Sequence, residues 1–172
     1  MTAVLARPAD DGPRRVLADA LMQAGDPRGE FIAVQLELAQ GAEPHALREL
    51  YFRERAFLNQ YERTWTAWME PHVGWTRPWV RFRRGFLHAL HLDGSVFDAM
   101  RYDLPTHAPL LSRLRLWIGR DDSPEMMLLP ALSSLSTLTL AAGTDLSGHL
   151  EVLGRHDQLQ LKTLRVQGEA GA

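Results

Sequence analysis

The sequence predicts an α/β chain in which an N-terminal helical module packs on a short solenoid with a parallel sheet of about four strands. Two patterns carry that prediction. In the C-terminal half the phrase leucine-x-x-leucine-x-(leucine or valine) occurs four times, at Leu87, Leu90, Leu92; Leu111, Leu114, Leu116; Leu135, Leu138, Leu140; and Leu161, Leu164, Val166. Successive copies lie 24, 24 and 26 residues apart, within the period of about 20 to 29 residues of leucine-rich repeats. A buried strand that returns at near-constant spacing implies stacked units passing one apolar layer from repeat to repeat. In the N-terminal half apolar residues recur instead at helical spacing between proline and glycine breaks. The expected division is therefore a helical module over 1–76 and a repeat module over 77–172.

A chain of 172 residues with 45% hydrophobic content has enough material for one domain, or for two small modules with a sizeable core. Its formal net charge of -2 gives no bulk attraction to nucleic acid or to an anionic membrane, so binding of either kind would need a local patch. Cysteine is absent, which excludes disulfides, thiolate metal sites and cysteine nucleophiles. Residues 1–15 lack a basic segment followed by a long apolar run, and nowhere do 18 apolar residues run together. A cytoplasmic protein without a membrane helix is expected.

The first helix is expected near Pro13, where Asp10 or Asp11 can accept from open amide groups and proline is tolerated in the first turn. Val16, Leu17, Ala20 and Leu21 share its apolar face, and Gly25 ends it. Asp26 then caps a second helix with Pro27 in its first position. Phe31, Ile32, Val34, Gln35, Leu36 and Leu38 carry this helix to about Gln40, and the pair forms a helical hairpin. After a break at 41–44 a longer helix runs from about His45 to Met69. Leu47, Leu50, Tyr51, Glu54, Phe57, Leu58, Tyr61 and Trp65 recur on it at helical spacing, an aromatic stripe read as core, and Pro71 ends it.

Trp75, Trp79, Phe82 and Phe86 follow, as a seal between the helices and the first repeat. If 78–86 is extended, Trp79, Arg81, Arg83 and Gly85 share one face, while Val80, Phe82, Arg84 and Phe86 share the other. Arg77, Arg81, Arg83 and Arg84 interleave here with Trp79 and Phe82, the pattern of a nucleic-acid patch. The acidic balance of the chain favours a capping strand whose arginines face water or pair with helix carboxylates. From Phe86 onward the phrase leucines should point inward. Val96, Phe97, Ala99 and Met100, then 124–129 and 146–153, should supply a second buried layer from short helical turns. Gly94, Gly119, Gly143 and Gly168 each fall shortly after a phrase, where the chain must turn sharply.

The words Asp10-Asp11, Pro13-Arg14, Ala18-Asp19 before Leu21, and Gly25-Asp26-Pro27-Arg28-Gly29-Glu30-Phe31-Ile32 resemble the repeat-companion domain at the front of bacterial leucine-rich-repeat proteins. Arg83-Arg84-Gly85-Phe86 is similar to that family's join to its repeats. Ala20 stands where the family pattern has an aromatic residue, and the repeat array is short. The resemblance is specific over residues 8–40 and implies a helical companion domain followed by a repeat sheet; it brings no activity with it.

An enzyme or enzyme regulator would gather Asp10, Asp11, Asp19, Asp26 and Glu30 into a metal or acid-base cluster. Arginines alternate with these carboxylates and no histidine accompanies them, so a capped and salt-bridged hairpin is the favoured reading, with Arg14 and Arg28 pairing with Asp19, Glu30 or Asp11. The seven histidines show no His-Glu-x-x-His pair, and neither a Gly-x-Ser-x-Gly elbow nor a phosphate loop is present. No cofactor or metal is expected. Ser133, Ser134 and Ser136 are read as solvated residues beside a strand.

Registering the four phrases gives three outward columns: Ala89, Arg113, Thr137, Thr163; His91, Arg115, Thr139, Arg165; and Asp93, Trp117, Ala141, Gln167. An outward tryptophan among arginines has the composition of an interface anchor. The function expected is thus a non-enzymatic scaffold or protein-interaction module. It would bind an acidic segment of a protein partner at His91, Arg113, Arg115, Trp117 and Arg165. A second expectation is homodimer formation through the open edge of the last strand.

Overall fold

The computed structural model describes residues 1–41, 43–74, 78–157 and 159–168. Trp75 and Arg77, both named above, lie outside the described residues. The chain divides into two compact units, each built from two stretches of sequence: Met1–Ala67 with Phe82–Phe86, and Trp68–Arg81 with Leu87–Ala172.

The first unit holds α1 (Thr2–Ala6), α2 (Gly12–Gln23), α3 (Pro27–Gln40) and α4 (Pro44–Trp65). Asp26 caps α3 as expected; at α2 the N-cap residue is Asp11, whose side chain makes no cap hydrogen bond, and Asp10 serves the first helical amide from one position earlier. Asp10 accepts from the Gly12 amide at 2.8 Å, and Asp26 accepts from the Arg28 amide at 2.8 Å, each satisfying a donor that a helix start leaves open. Gly29 lets α3 approach α2, since a Cβ there would stand 2.6 Å from the Ala18 carbonyl oxygen and the Met22 amide nitrogen. Ala18, Ile32 and Leu36 form the buried contact, with Leu17 and Leu21 packed against it.

Several sequence expectations need correction here. Val16 and Ala20 are exposed, and the buried positions of α2 are Arg14 and Ala18. Tyr51 is also exposed, whereas the rest of the expected α4 stripe holds, with Leu50 buried and Leu47, Glu54, Phe57, Leu58, Tyr61 and Trp65 half-buried. The long helix stops at Trp65. A 3-10 turn over Ala67–Met69 follows, and Pro71 sits in the first turn of α5 (Glu70–Val73), where the ring removes no helical hydrogen bond. Both α1 and α5 are additions to the expected helices.

The helical unit is centred on aromatic rings and one buried amide. Phe31 touches Trp65 at a centroid distance of 4.7 Å and meets Phe82 edge-on at 5.7 Å. Gln35 is buried on α3. Its Nε2 donates to Glu54 at 2.8 Å and to the Phe82 carbonyl at 3.3 Å, while its Oε1 accepts from the Gly85 amide at 2.6 Å. Both ends of the amide are therefore satisfied, as a buried side chain of this kind requires. Arg84 has φ 51 and Gly85 φ 84; positive φ at both central residues is the pattern of a type I′ two-residue hairpin turn. This turn overturns the extended reading of 84 and 85. Arg84 lies 3.4 Å from Asp11 and donates to the Ala9 carbonyl at 3.3 Å. Arg14 donates to the Asp10 carbonyl at 2.9 Å beneath the Phe86 ring, and Arg28 lies over Trp65 at 5.3 Å. Among the described residues, neither Arg14 nor Arg28 forms the expected bridge to Asp19 or Glu30.

One mixed sheet of five strands, in the order β1-β2-β3-β4-β5, replaces the expected parallel sheet of about four. The strands are β1 (Trp79–Arg83), β2 (Phe86–Asp93), β3 (Arg113–Ile118), β4 (Thr137–Ala142) and β5 (Thr163–Gly168). The last four are parallel in unshifted register: Leu90 pairs with Leu114, Leu114 with Leu138, and Leu138 with Leu164. The extra member is β1, which the tight turn folds back beside β2.

Short helical segments supply the second buried layer of this unit. They are α6 (Gly94–Ala99), α7 (Leu104–His107), 3-10 turns at Pro124–Leu128 and Pro130–Leu132, and α8 (Ser147–Leu153). Phe97, Met100, Leu104, Met127 and Leu132 are all fully buried. Gly94 and Gly119 do not have positive φ. Gly94 is required by close approach instead, because a Cβ there would overlap the Asp122 carboxylate that accepts from the Gly119 amide at 2.7 Å. Ser136 is a structural rung, not only a solvated residue: its hydroxyl meets that of Ser112 at 2.7 Å, one position ahead of the strands. The inward rule fails in the last copy, where Leu164 and Val166 are exposed. No helix among the described residues is long and apolar enough to cross a membrane.

Two glycines separate backbone strain from steric overlap. Gly25 (φ 74) has nothing within 4 Å of where a Cβ would stand, whereas a Cβ on Gly85 would overlap Ile32. Gly25→Ala is expected to lower unfolding free energy by about 1 kcal/mol. Gly85→Ala should lower it by roughly 3 kcal/mol, because overpacking of a rigid core adds to the backbone term. Urea unfolding of the two variants checks this; equal losses would mean that Ile32 yields without cost.

Candidate functional site

The register that aligns the leucines also aligns what faces away from them. Ala89, Arg113, Thr137 and Thr163 form one row across the strands; His91, Arg115, Thr139 and Arg165 the next; and Asp93, Trp117, Ala141 and Gln167 the third. The alternation along β3 is strict, with Arg113, Arg115 and Trp117 exposed and Leu114, Leu116 and Ile118 buried. Elsewhere the face is less open than the columns suggest, since Ala89 and Ala141 are buried.

His91, Arg115 and Trp117 come together around one pocket of about 260 Å³. Among the described residues Val73, Pro78, Trp79, Leu92, Asp93 and Val96 also line it. Trp79 stacks on the His91 ring at a centroid distance of 4.2 Å and 28° between planes. Both indoles remain substantially in water, with Trp79 49% exposed and Trp117 45% exposed. Arg113 lies on the same strand face two residues before Arg115 but does not line the pocket. Arg165 lies in the row of Arg115 two strands away, about 10 Å at ordinary strand spacing. The predicted set thus divides into three pocket residues and two outlying cations.

Burial, reinforced by the Arg115 guanidinium, pushes the His91 imidazole below its ordinary pKa. At neutral pH the ring is therefore uncharged, and its stack on Trp79 presents an apolar wall. Among the described residues Arg113, Arg115 and Arg165 form no ion pair with a carboxylate. Among the described residues the pocket edge consequently carries one cation without an ion pair, Arg115, and one carboxylate, Asp93, beside two aromatic walls. Such a site can take an apolar side chain and orient a neighbouring charge.

Trp79 and Asp93 join the site without being predicted for it. Period-two spacing places Trp79 beside Arg81 and Arg83, and Asp93 in the column of Trp117; neither pattern brings Trp79 onto His91, which depends on the hairpin. The basic-aromatic patch is broken up: Phe82 is buried, Arg84 is engaged by Asp11 and Ala9, and Arg81 and Arg83 are exposed. The N-terminal carboxylates are also dispersed, with Asp10 beside Arg7 at 3.1 Å, Asp11 beside Arg84 and Asp26 in its cap. Among the described residues no three histidine, aspartate or glutamate side chains gather as a metal-ligand set.

No family model, characterised protein or solved structure matches the chain.

The two causes of the His91 shift can be separated by NMR titration of its ring carbons. Arg115→Gln should raise the His91 pKa only part of the way to its ordinary value, because burial is the larger cause. Trp79→Ala should raise it further by opening the ring to water. In both variants the folded-state value moves toward the unfolded one, so the stability that wild type loses as pH falls through the His91 pKa should be smaller. An unchanged midpoint in Trp79→Ala would reject the burial account.

Proposed function

We propose that the chain is a non-enzymatic protein-interaction module that docks an acidic segment of a protein partner on the sheet face around His91, Arg113, Arg115, Trp117 and Arg165. The observation that carries this reading is Trp117, nearly half exposed on a strand whose other outward residues are two arginines without an ion pair among the described residues. A tryptophan left in water loses the stabilisation of burial, on the order of 25 cal/mol per Å² of apolar surface. Its place beside arginine is the composition of an interface centre.

The repeat reading belongs to the same proposal. Equivalent positions of phrases 24, 24 and 26 residues apart pair strand to strand without slippage, which supports a short leucine-rich-repeat solenoid that follows a companion-type helical module along the chain. The carboxylate enzyme alternative has less support, because Asp10, Asp11 and Asp26 are engaged in caps and an ion pair.

A second reading concerns β5. Leu164 is 44% and Val166 50% exposed at the sheet edge, in line with buried leucines of the preceding strands. This favours self-association through that edge. Sedimentation equilibrium should then show a dimer that Val166→Lys abolishes; a wild-type monomer at high concentration rejects the reading.

For the face itself, Arg115→Gln combined with Trp117→Ala should leave the thermal midpoint nearly unchanged, since exposed substitutions typically shift stability by only about 0.5 kcal/mol. Partners captured from the source cell by wild type and re-bound in purified form should weaken at least roughly tenfold against the double variant. Undiminished binding by a folded double variant would eliminate this face as the docking site.

A further inference from the structure

The aromatic pocket and the arginines across the sheet stand at separations fixed by the strands, and these set a spacing rule for the ligand. Resting on the docking reading above, we propose that the face recognises an extended acidic peptide with a defined order: one aromatic or large apolar anchor, an acidic residue next to it, and a second acidic residue three positions further on.

Pocket size selects the anchor. At about 260 Å³ the pocket is smaller than the roughly 300–1,000 Å³ clefts that enclose drug-sized molecules, and it suits a single side chain. Trp79, Trp117 and Val96 give it apolar walls. Arg115 lines the same pocket, so a carboxylate adjacent to the seated anchor meets its guanidinium. Asp93 lies one row further along the strands, beside Trp117. It repels a carboxylate placed on its own side, which directs the acidic residues toward the arginine row.

Strand spacing selects the second acid. In the row of Arg115 the next position is the neutral Thr139 and the one beyond is Arg165. Two strand spacings amount to about 10 Å, and an extended peptide advances about 3.3 Å per residue. Three residues of a peptide crossing the strands therefore span the gap. A polyanion with a charge at every unit, such as single-stranded nucleic acid, would place charge against Thr139 and beside Asp93 as well as against the arginines. This charge pattern favours the spaced peptide.

The test uses the full chain and fluorescein-labelled peptides read by anisotropy. The spaced probe is Gly-Ser-Phe-Glu-Ser-Gly-Glu-Ser-Gly. One control has the same composition with adjacent acids, Gly-Ser-Phe-Glu-Glu-Ser-Gly-Ser-Gly; another replaces Phe by Ser; oligothymidylate is the third. The spaced probe should bind about fivefold more tightly than the adjacent one and about tenfold more tightly than the anchorless one. Arg165→Gln should abolish the preference for spacing, and Trp117→Ala the preference for Phe. Equal affinity for spaced and adjacent probes, with both weakened by Arg115→Gln, overturns the spacing rule and leaves the docking face standing. Peptide binding that ignores Arg115→Gln and Trp117→Ala overturns both. Tighter binding of oligothymidylate than of the spaced probe, or no binding of any peptide, also overturns the proposal.

Discussion

Unshifted parallel pairing of β2, β3, β4 and β5 is the constraint on which the sheet and its candidate site depend. Strand side chains alternate faces, so a slip of one residue would send Leu114 and Leu116 into water and bury Arg113, Arg115 and Trp117. Burial of an unpaired arginine carries a desolvation penalty of several kcal/mol, which opposes such slippage independently of the leucines. The backbone ladder also continues ahead of the strands, where the Ser112 amide donates to the His88 carbonyl at 3.0 Å and the Ser136 amide to the Ser112 carbonyl at 2.9 Å. Apolar burial, charge exposure and backbone pairing thus agree on one register. That register is what makes a row such as His91, Arg115, Thr139 and Arg165 a physical object.

In the helical unit the equivalent constraint is polar. Gln35 is surrounded by Phe82, Glu54 and Gly85, and its amide satisfies a turn amide that would otherwise be buried without a partner. Leaving such a group unpaired costs about 1–3 kcal/mol. Gly85 fits the same place for a different reason, as its missing side chain leaves room for Ile32. The Phe82–Phe86 hairpin tip therefore belongs to the helical unit through one hydrogen-bonded amide, one close approach and the ring contacts of Phe82. Arg14 and Arg84 add cations at the start of α2. Burial lowers the pKa of Arg14, and the neighbouring Arg84 lowers it further, while Asp11 and Asp10 act in the opposite direction.

The parts legible in the sequence are those written by short-range repetition. Leucines at steps of 24, 24 and 26 residues determine the register, and Asp26-Pro27 marks the start of α3 because cap and proline act within one turn. The parts that are not legible depend on distant partners. Gly94 has the look of a turn residue, yet its neighbour is Asp122; Gln35 has the look of an interruption in an apolar run, yet it binds Gly85. The strand β1 is obscured by its turn, since Arg84 adopts a positive φ that non-glycine residues seldom take. For the same reason Trp79 is absent from the expected site, although Trp117, Arg115 and His91 can be placed on one face by counting. Leu164 and Val166 follow the leucine phrase into the wrong environment, because periodicity assigns a side and not the presence of a covering layer.

Net charge alone is a poor guide to what this face attracts. The chain carries -2 overall, yet electrostatic screening at physiological salt acts over about 8 Å, and Arg115 and Arg165 are roughly 10 Å apart by strand spacing. Arg115 and Arg165 therefore act separately, through contacts made after arrival, with little combined steering at a distance. Arg115 differs from Arg165 in having aromatic walls beside it, where water is partly displaced and a charge interaction gains strength. Binding energy should accordingly concentrate at the pocket. The outlying arginines then discriminate between ligands by where a carboxylate falls, a division between anchor and register that mirrors the leucines and arginines of the strands themselves.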